Sequence, residues 1–336
     1  MPVPWSPGWY TPSAMQKSLG PLLVPFAAPL PLILNEFGRG RPVLSVVGGL
    51  HGHAYNSVYT CHLLMRWLKK QEQRQSDYQL RGRVRVLPAV NAPGLLTASR
   101  YWPFDNTDLD RVFPGYSQGE TTQRLVSWVF EQVRHSDCCV DLRGPENGMA
   151  EWPQVQVHFS QPRALELAKA MGLPVIRVRR PPAGRLTAGY DLFSASQGSL
   201  AHNLFQAGID ALLLQAGAGQ VIEPLFCHQL LAALIRLMLQ MGIVTGPPPE
   251  PPGVAVPETI TADDIEAIHA QRAGLFVAGA APGQIVEPGT PLGQIVDPLS
   301  ADILEEPAAA KMGLILSLRL QPIVLQGSLI ACTTRI

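Results

Sequence analysis

Gly48-Gly49-Leu50-His51-Gly52-His53-Ala54 places two imidazoles in a glycine-rich turn directly after an apolar run, Val43, Leu44, Val46 and Val47. Imidazole is a common metal ligand and exchanges protons near neutral pH, so this turn has the makings of a metal or acid–base site. Three further clusters follow apolar runs. Asn91-Ala92-Pro93-Gly94 and Ser99-Arg100-Tyr101 lead to Asp108-Leu109-Asp110-Arg111-Val112-Phe113-Pro114-Gly115. Asp141-Leu142-Arg143 closes the run Cys139-Val140, and Leu213-Leu214-Gln215-Ala216-Gly217 ends another. Polar groups at the carboxyl ends of buried strands are where α/β proteins place their chemistry.

The elements that must hold these clusters alternate along the chain. The pattern predicts strands at 42–47, 83–87, 138–142, 154–159, 175–178 and 211–214. Helices are expected at 57–71, 121–134, 163–171 and 223–241, with Leu63, Leu64, Trp67 and Leu68 on one face of the first. Residues 1 to about 40 are proline-rich, with an edge strand or hairpin near Leu32 to Asn35. Strands alternating with helices imply an α/β domain, here 1–245, whose sheet is mixed but mainly parallel with helices on both faces. Gly246-Pro247-Pro248-Pro249-Glu250-Pro251-Pro252-Gly253 opens a stiff linker, 246–258. Beyond it, 259–336 reads as short strands between turns, with one short helix at Asp263 to His269. The string Val286-Glu287-Pro288-Gly289 and Pro291-Leu292-Gly293-Gln294-Ile295-Val296 resembles a barrel-sandwich domain of the lipoyl and biotinyl type. Lys311 sits before the glycine that opens a strand, which favours a structural turn over a modification site.

Composition narrows the class. Charged residues are 15% and the formal net charge is zero, so neither nucleic acid nor an anionic membrane is the expected partner. Pro21, Pro25, Pro29 and Pro31 interrupt the apolar stretch from Leu19 to Leu34, which therefore cannot be a spanning helix. Five cysteines without a paired framework or a Cys-x-x-Cys motif imply a reducing compartment, so the cytoplasm is expected.

Taken in order, the four clusters resemble the succinylglutamate desuccinylase/aspartoacylase family, a branch of the zinc-carboxypeptidase-like fold. The resemblance covers nearly the whole chain, and Asp108 to Gly115 is similar to the family's D-L-N-R-x-F-P-G. It implies a zinc-dependent amide hydrolase acting on N-acyl amino acids. In the family, G-G-x-H-G-N-E gives zinc a histidine and a glutamate; His51 matches the first, and Ala54 stands in the place of the second. Arg143 stands where D-L-H supplies the third ligand, and Gln215 where a glutamate acts as general base. Arg100 falls on the arginine that polarises the scissile carbonyl. Asp110 and Arg111 fall on the Asn-Arg pair that grips the substrate carboxylate, a role suited to guanidinium.

The departures point one way. A catalytic zinc needs three protein donors and an open water position. Ala54 has no donor, and arginine has no acceptor lone pair and keeps its proton. Gln215 cannot collect a proton. His53 with His51 and Asp141 would form a relocated donor set; alternatively His53 fills the family's asparagine slot. Arg111 binds a ligand or forms an internal ion pair, and Arg143 with Arg100 could bind a carboxylate or phosphate in place of the metal's charge. Cys138 and Cys139 read as inert strand thiols, Arg177, Arg179 and Arg180 as a solvated strand end, and His158, His202 and His228 as core or surface histidines.

The expected function is therefore a catalytically degenerate family member, a pseudoenzyme that binds a small anionic ligand or a protein partner, with no cofactor. The alternative is an active metal-dependent amide or ester hydrolase with a rearranged donor set. A metal-free enzyme built on the arginines lacks an obvious nucleophile. A homo-oligomer is expected.

Overall fold

Val43–Val47 is buried at all five positions, so this strand must lie inside a sheet covered on both faces. The structure, a computed structural model, describes residues 16–22, 30–73, 77–145, 148–179, 197–250 and 258–335. The α/β part has strands β1 (Gln16–Leu22), β2 (Leu30–Gly38), β3 (Val43–Val47), β4 (Gln79–Leu80), β5 (Arg83–Leu87), β6 (Cys138–Arg143), β7 (Met149–His158), β8 (Val175–Arg179) and β9 (Asp210–Ala218). Its helices are α1 (Tyr55–Glu72), α2 (Ala92–Leu96), α3 (Thr121–Val133), α4 (Pro162–Met171), α5 (Leu200–Gln206) and α6 (Pro224–Gln240).

The strand order is β1-β2-β5-β3-β6-β9-β7, with β8 paired to β7. The four central strands β5, β3, β6 and β9 run parallel. Outside them the sheet turns mixed: β1 and β2 form an antiparallel hairpin, β2 runs against β5, and β7 runs against β9. β2 is thus interior rather than an edge strand. Side chains alternate across the sheet as a period of two requires. Cys138, Val140 and Leu142 enter the core under α1, α4 and α6, whereas Cys139 enters the core under α3 and α5. Asp141 and Arg143 share the Cys139 side of β6, which brings the pair together at the strand's carboxyl end.

The C-terminal part adds β10 (Val244–Thr245), β11 (Glu258–Ile260), β12 (Ile265–His269), β13 (Gly274–Ala278), β14 (Ile285–Val286), β15 (Gly293–Val296), β16 (Ile303–Glu305), β17 (Gly313–Arg319), β18 (Ile323–Val324) and β19 (Leu329–Thr334). β16-β15-β13-β18 form a separate four-stranded sheet. The others do not stand apart: β11 pairs parallel to β8, and β17 pairs Ser317, Leu318 and Arg319 with Glu151, Ala150 and Met149 of β7. β7 is long because its first residues lie between β9 and β17 and its later ones between β9 and β8. Within the proline-rich stretch, the Arg236 guanidinium donates to the Pro249 and Glu250 carbonyls at 3.0 and 2.6 Å; residues 251–257 lie outside the described residues.

The helix expected at Asp263 to His269 is replaced by a short 3-10 turn, Ala262–Asp264, and the strand β12, which pairs with β19. Ile265 and Ala267 pack beside Leu316 and Cys332, while Ile268 packs on the Phe276 core. Alternate residues serve two cores, and so short a segment cannot separate that period from a helical one. Lys311 lies in an exposed bend ahead of β17.

Candidate functional site

The turn after β3 is sewn to the end of β5. Gly48 N donates to Leu87 O at 2.8 Å, and Asn91 N donates to Gly49 O at 2.8 Å. The Asn91 side chain caps α2 through Gly94 N at 2.9 Å and donates to Tyr101 O at 3.2 Å, fixing the loop that carries Arg100. A Cβ on Gly52 would fall 2.1 Å from the Gly94 carbonyl carbon and 2.4 Å from Ser99 O, so only glycine lets these loops close. The two histidines are buried inside this junction, with rings stacked at 5.8 Å and 8° apart.

The polar groups here satisfy one another. His51 Nε2 is 3.2 Å from Asp108 Oδ1. Arg100 Nε donates to Asp108 Oδ2 at 2.9 Å, and Arg111 Nε stands 3.6 Å from the same oxygen. Asp108 also caps its own turn, accepting from Asp110 N at 3.1 Å. On the adjoining strand end, the Arg143 guanidinium donates to Asp141 Oδ2 at 2.7 Å and to Asp110 Oδ1 at 2.6 Å. Leu200 N, at the start of α5, also donates to Asp110. Three guanidinium groups therefore face three carboxyl groups among the described residues.

Burial sets the protonation states. His51 is pulled down to about 4, first by burial and then by the Arg100 charge, against the pull of Asp108; Arg143 lowers it further. It is neutral at physiological pH. Burial pushes the Asp108 carboxyl up, but the hydrogen bond with His51 and the Arg100 guanidinium more than offset that and hold it well below the usual range. Burial pushes Asp110 up against the pull of Arg143, and Asp141 adds to the rise. Arg143 loses hydration on burial, but Asp110 and Asp141 bind its charge more firmly than water would.

The sequence-derived residues are brought together, with altered roles. Ala54 is buried one residue before α1, and a Cβ on Gly144 would lie 2.9 Å from its methyl, so the Ala54 position does adjoin the Arg143 strand end. Gln215 pairs across from Arg143 in the sheet; its Nε2 donates to Gly144 O at 3.2 Å and its Oε1 accepts from Gln156. The reading of Arg143 and Arg100 as jointly open to an anion does not survive this geometry. Arg143 is occupied by two carboxylates and Arg100 by Asp108, each with its side chain only 10% exposed. Arg111, 52% exposed, is the guanidinium of this group that a ligand can reach most readily. The inference that Asp110 joins Arg111 in gripping a ligand shifts likewise, because Asp110 serves Arg143.

These donors do not fit zinc. His51 offers one nitrogen, Ala54 none, and the Arg143 guanidinium would repel a dication at close range. Among the described residues no group of three or more His, Cys, Asp or Glu residues is placed to hold a metal ion. The relocated set of His51, His53 and Asp141 is not assembled: His53 Nε2 donates to Pro145 O at 3.0 Å, and Asp141 Oδ2 takes the Arg143 Nε proton. Two residues that sequence reasoning passed over carry the site's organisation. Asp108 is its hub, signalled only by its place three residues before Arg111. Gln156 engages Gln215, signalled only by the alternation of Gln154 and Gln156 with Val155 and Val157.

Comparison with known proteins places this geometry. The fold matches a crystal structure of a succinylglutamate desuccinylase/aspartoacylase from Rhodobacter sphaeroides with a TM-score of 0.74 and 22% identity, covering 91% of this chain and 89% of that one. It matches the product-bound ectoine utilization protein EutE (DoeB) from Ruegeria pomeroyi with a TM-score of 0.72 and 19% identity, over 92% and 90%. A curated relative, the N-alpha-acetyl-L-2,4-diaminobutyric acid deacetylase of Halomonas elongata, is 30% identical over 154 residues, 44% of this chain. The matched stretch spans 43% of that relative's length. Among the described residues no helix is long and apolar enough to cross a membrane. The sequence model of the succinylglutamate desuccinylase/aspartoacylase catalytic domain matches residues 41–240, well over half of the chain, and the chain belongs to that family.

Proposed function

We propose that this member of a deacylase family binds a small carboxylate-bearing ligand at the rim of the cleft, at Arg111, and does not carry out zinc-dependent hydrolysis there. The observation that carries this reading is the Arg143 guanidinium, locked between Asp110 and Asp141 beside His51, where the family pattern calls for a metal ligand. A fixed cation with two counter-carboxylates replaces a site that a dication would need open. Gln215 cannot serve as a base, and its side chain is already engaged by Gln156 and Gly144. In this reading the α/β part has the zinc-carboxypeptidase-like architecture, the C-terminal strands are a barrel-sandwich module, and the chain works as a binding or assembly protein. The five cysteines, all free and buried, support a reducing compartment such as the cytoplasm.

A second reading keeps the enzyme. The comparisons favour this reading over the first: the match to the catalytic-domain model and the 30% identity to a deacetylase support an amide hydrolase acting on an N-acyl amino acid, which here would need another donor set. The two readings separate in one assay. N-alpha-acetyl-L-2,4-diaminobutyrate and N-succinylglutamate are offered with added zinc, and both amine release and ligand binding are followed. We expect no turnover above buffer, and saturable binding of one of these acids that Arg111→Gln weakens. Turnover that a chelator abolishes would establish the hydrolase instead.

A further inference from the structure

The histidines at 158 and 202 read from the sequence as unrelated core or surface residues. The fold brings them into one cavity of about 410 Å³ on the α5 side of the sheet, a volume ordinary for a small-molecule site. We propose that this cavity is a second binding site, which takes a monoanionic carboxylate on a flat apolar body.

The charge of the walls gives the first half of that assignment. Arg179 supplies one fixed cation, and His158 and His202 supply ring nitrogens, while no Asp or Glu stands among the described lining residues. His158 Nδ1 accepts from Ser160 N at 3.2 Å, so the neutral ring carries its proton on Nε2, as a donor. Burial, then Arg179 and His202, hold the His158 pKa below its ordinary value, so it contributes a neutral donor rather than a second charge. The Arg179 cation with the neutral His158 donor matches a monoanion better than a phosphate dianion.

The shape of the walls gives the second half. The His158 ring stacks on Phe205 at 4.0 Å and 26°, and the Phe159 ring stands 4.8 Å from it, tilted by 41°. Ala211 and Leu213 provide an apolar floor. Planar faces over an aliphatic floor favour a flat ring. The cavity is separate from the Asp108 and Arg143 clusters but shares a wall with them, because Gln156 lines it and donates to Gln215. The proposal does not depend on the function assigned to the Arg111 cleft.

The test titrates benzoate into the full-length protein by calorimetry, with cyclohexanecarboxylate and inorganic phosphate as comparison probes. A saturable benzoate site that responds to Arg179 is expected, with weaker binding of the other two there. Arg179→Gln should weaken benzoate about tenfold or more, the scale of a lost charge-assisted hydrogen bond. Phe205→Leu should weaken it several-fold, and the effect of Arg179→Gln should be the same in an Arg111→Gln background. The ring signals of His158, assigned with His158→Gln, should shift on titration of the unsubstituted protein, which keeps the test valid if a variant misfolds. Absence of saturation in the millimolar range would overturn the proposal. So would benzoate affinity lost with Arg111→Gln but unmoved by Arg179→Gln, or phosphate binding more tightly than benzoate.

Discussion

The two sides of the cleft have diverged from the family pattern to different degrees. On the side of α2 and the turn after it, Asn91, Arg100 and Arg111 are all kept, and Asn91 still fixes the loop that carries Arg100. On the side of β6 and β9, Ala54, Arg143 and Gln215 all depart from it. Two departures touch each other: Asp110, which replaces an asparagine, is the counter-ion of Arg143, which replaces a histidine. A buried guanidinium without carboxylates would be costly, and one with Asp110 and Asp141 is tolerable. The comparison teaches that the charged departures answer each other across the cleft: Arg143 on the β6 side finds its partner in Asp110, which stands beside Arg111.

Substitutions in the Arg143 cluster should cost the most. Arg143→Met leaves Asp110 and Asp141 buried without their partner, and should destabilise the fold by about 3–5 kcal/mol in urea or thermal unfolding. Adding Asp110→Asn should recover part of that loss; a purely additive double variant would contradict the coupling. Next comes acid sensitivity. His51 in the folded chain titrates at about 4, below its ordinary value of roughly 6.5, so the unfolded chain binds a proton that the native state refuses. Stability should therefore fall as pH drops from about 6.5 towards 4, by up to about 3 kcal/mol, and His51→Gln should flatten that slope.

Asp108→Asn should cost about 1–3 kcal/mol near pH 7, because the amide keeps one acceptor oxygen for the two donors His51 and Arg100 and loses the negative charge. The folded Asp108 pKa lies below the unfolded one, so this contribution is complete above about pH 4 and disappears as pH falls through the folded value. The mutational cost should shrink in that acid window and stay constant above it. Smallest is Arg111→Gln, whose exposed ion pair should be worth under about 1 kcal/mol of stability while its loss weakens ligand binding. A large stability cost there would place Arg111 with the structural cluster and remove it from ligand binding.

Much of this was legible from residue patterns. The apolar runs at 43–47, 83–87 and 138–142 located the central parallel strands, and the polar residues just past them located the cleft. What stayed hidden depended on contacts distant in sequence. Asp108 looked like one acid in a turn motif, and nothing local showed that His51, 57 positions earlier, would meet it. The start of β7 was missed because Met149 to Glu151 pair with β17, far along the chain, and β12 was misread because its five residues divide between two cores. The Arg143–Asp110 pair could be suspected from the charge of both departures, but only the fold fixed that Arg143 is fully spoken for.

The central claim, that Arg143 and its carboxylates have taken the metal's place, is tested most directly by the zinc content of the purified full-length protein, measured after dialysis against zinc and then against buffer. The account predicts far less than one zinc per chain, with no change on His51→Ala. One zinc per chain, removed by chelator and lost in His51→Ala, would contradict it.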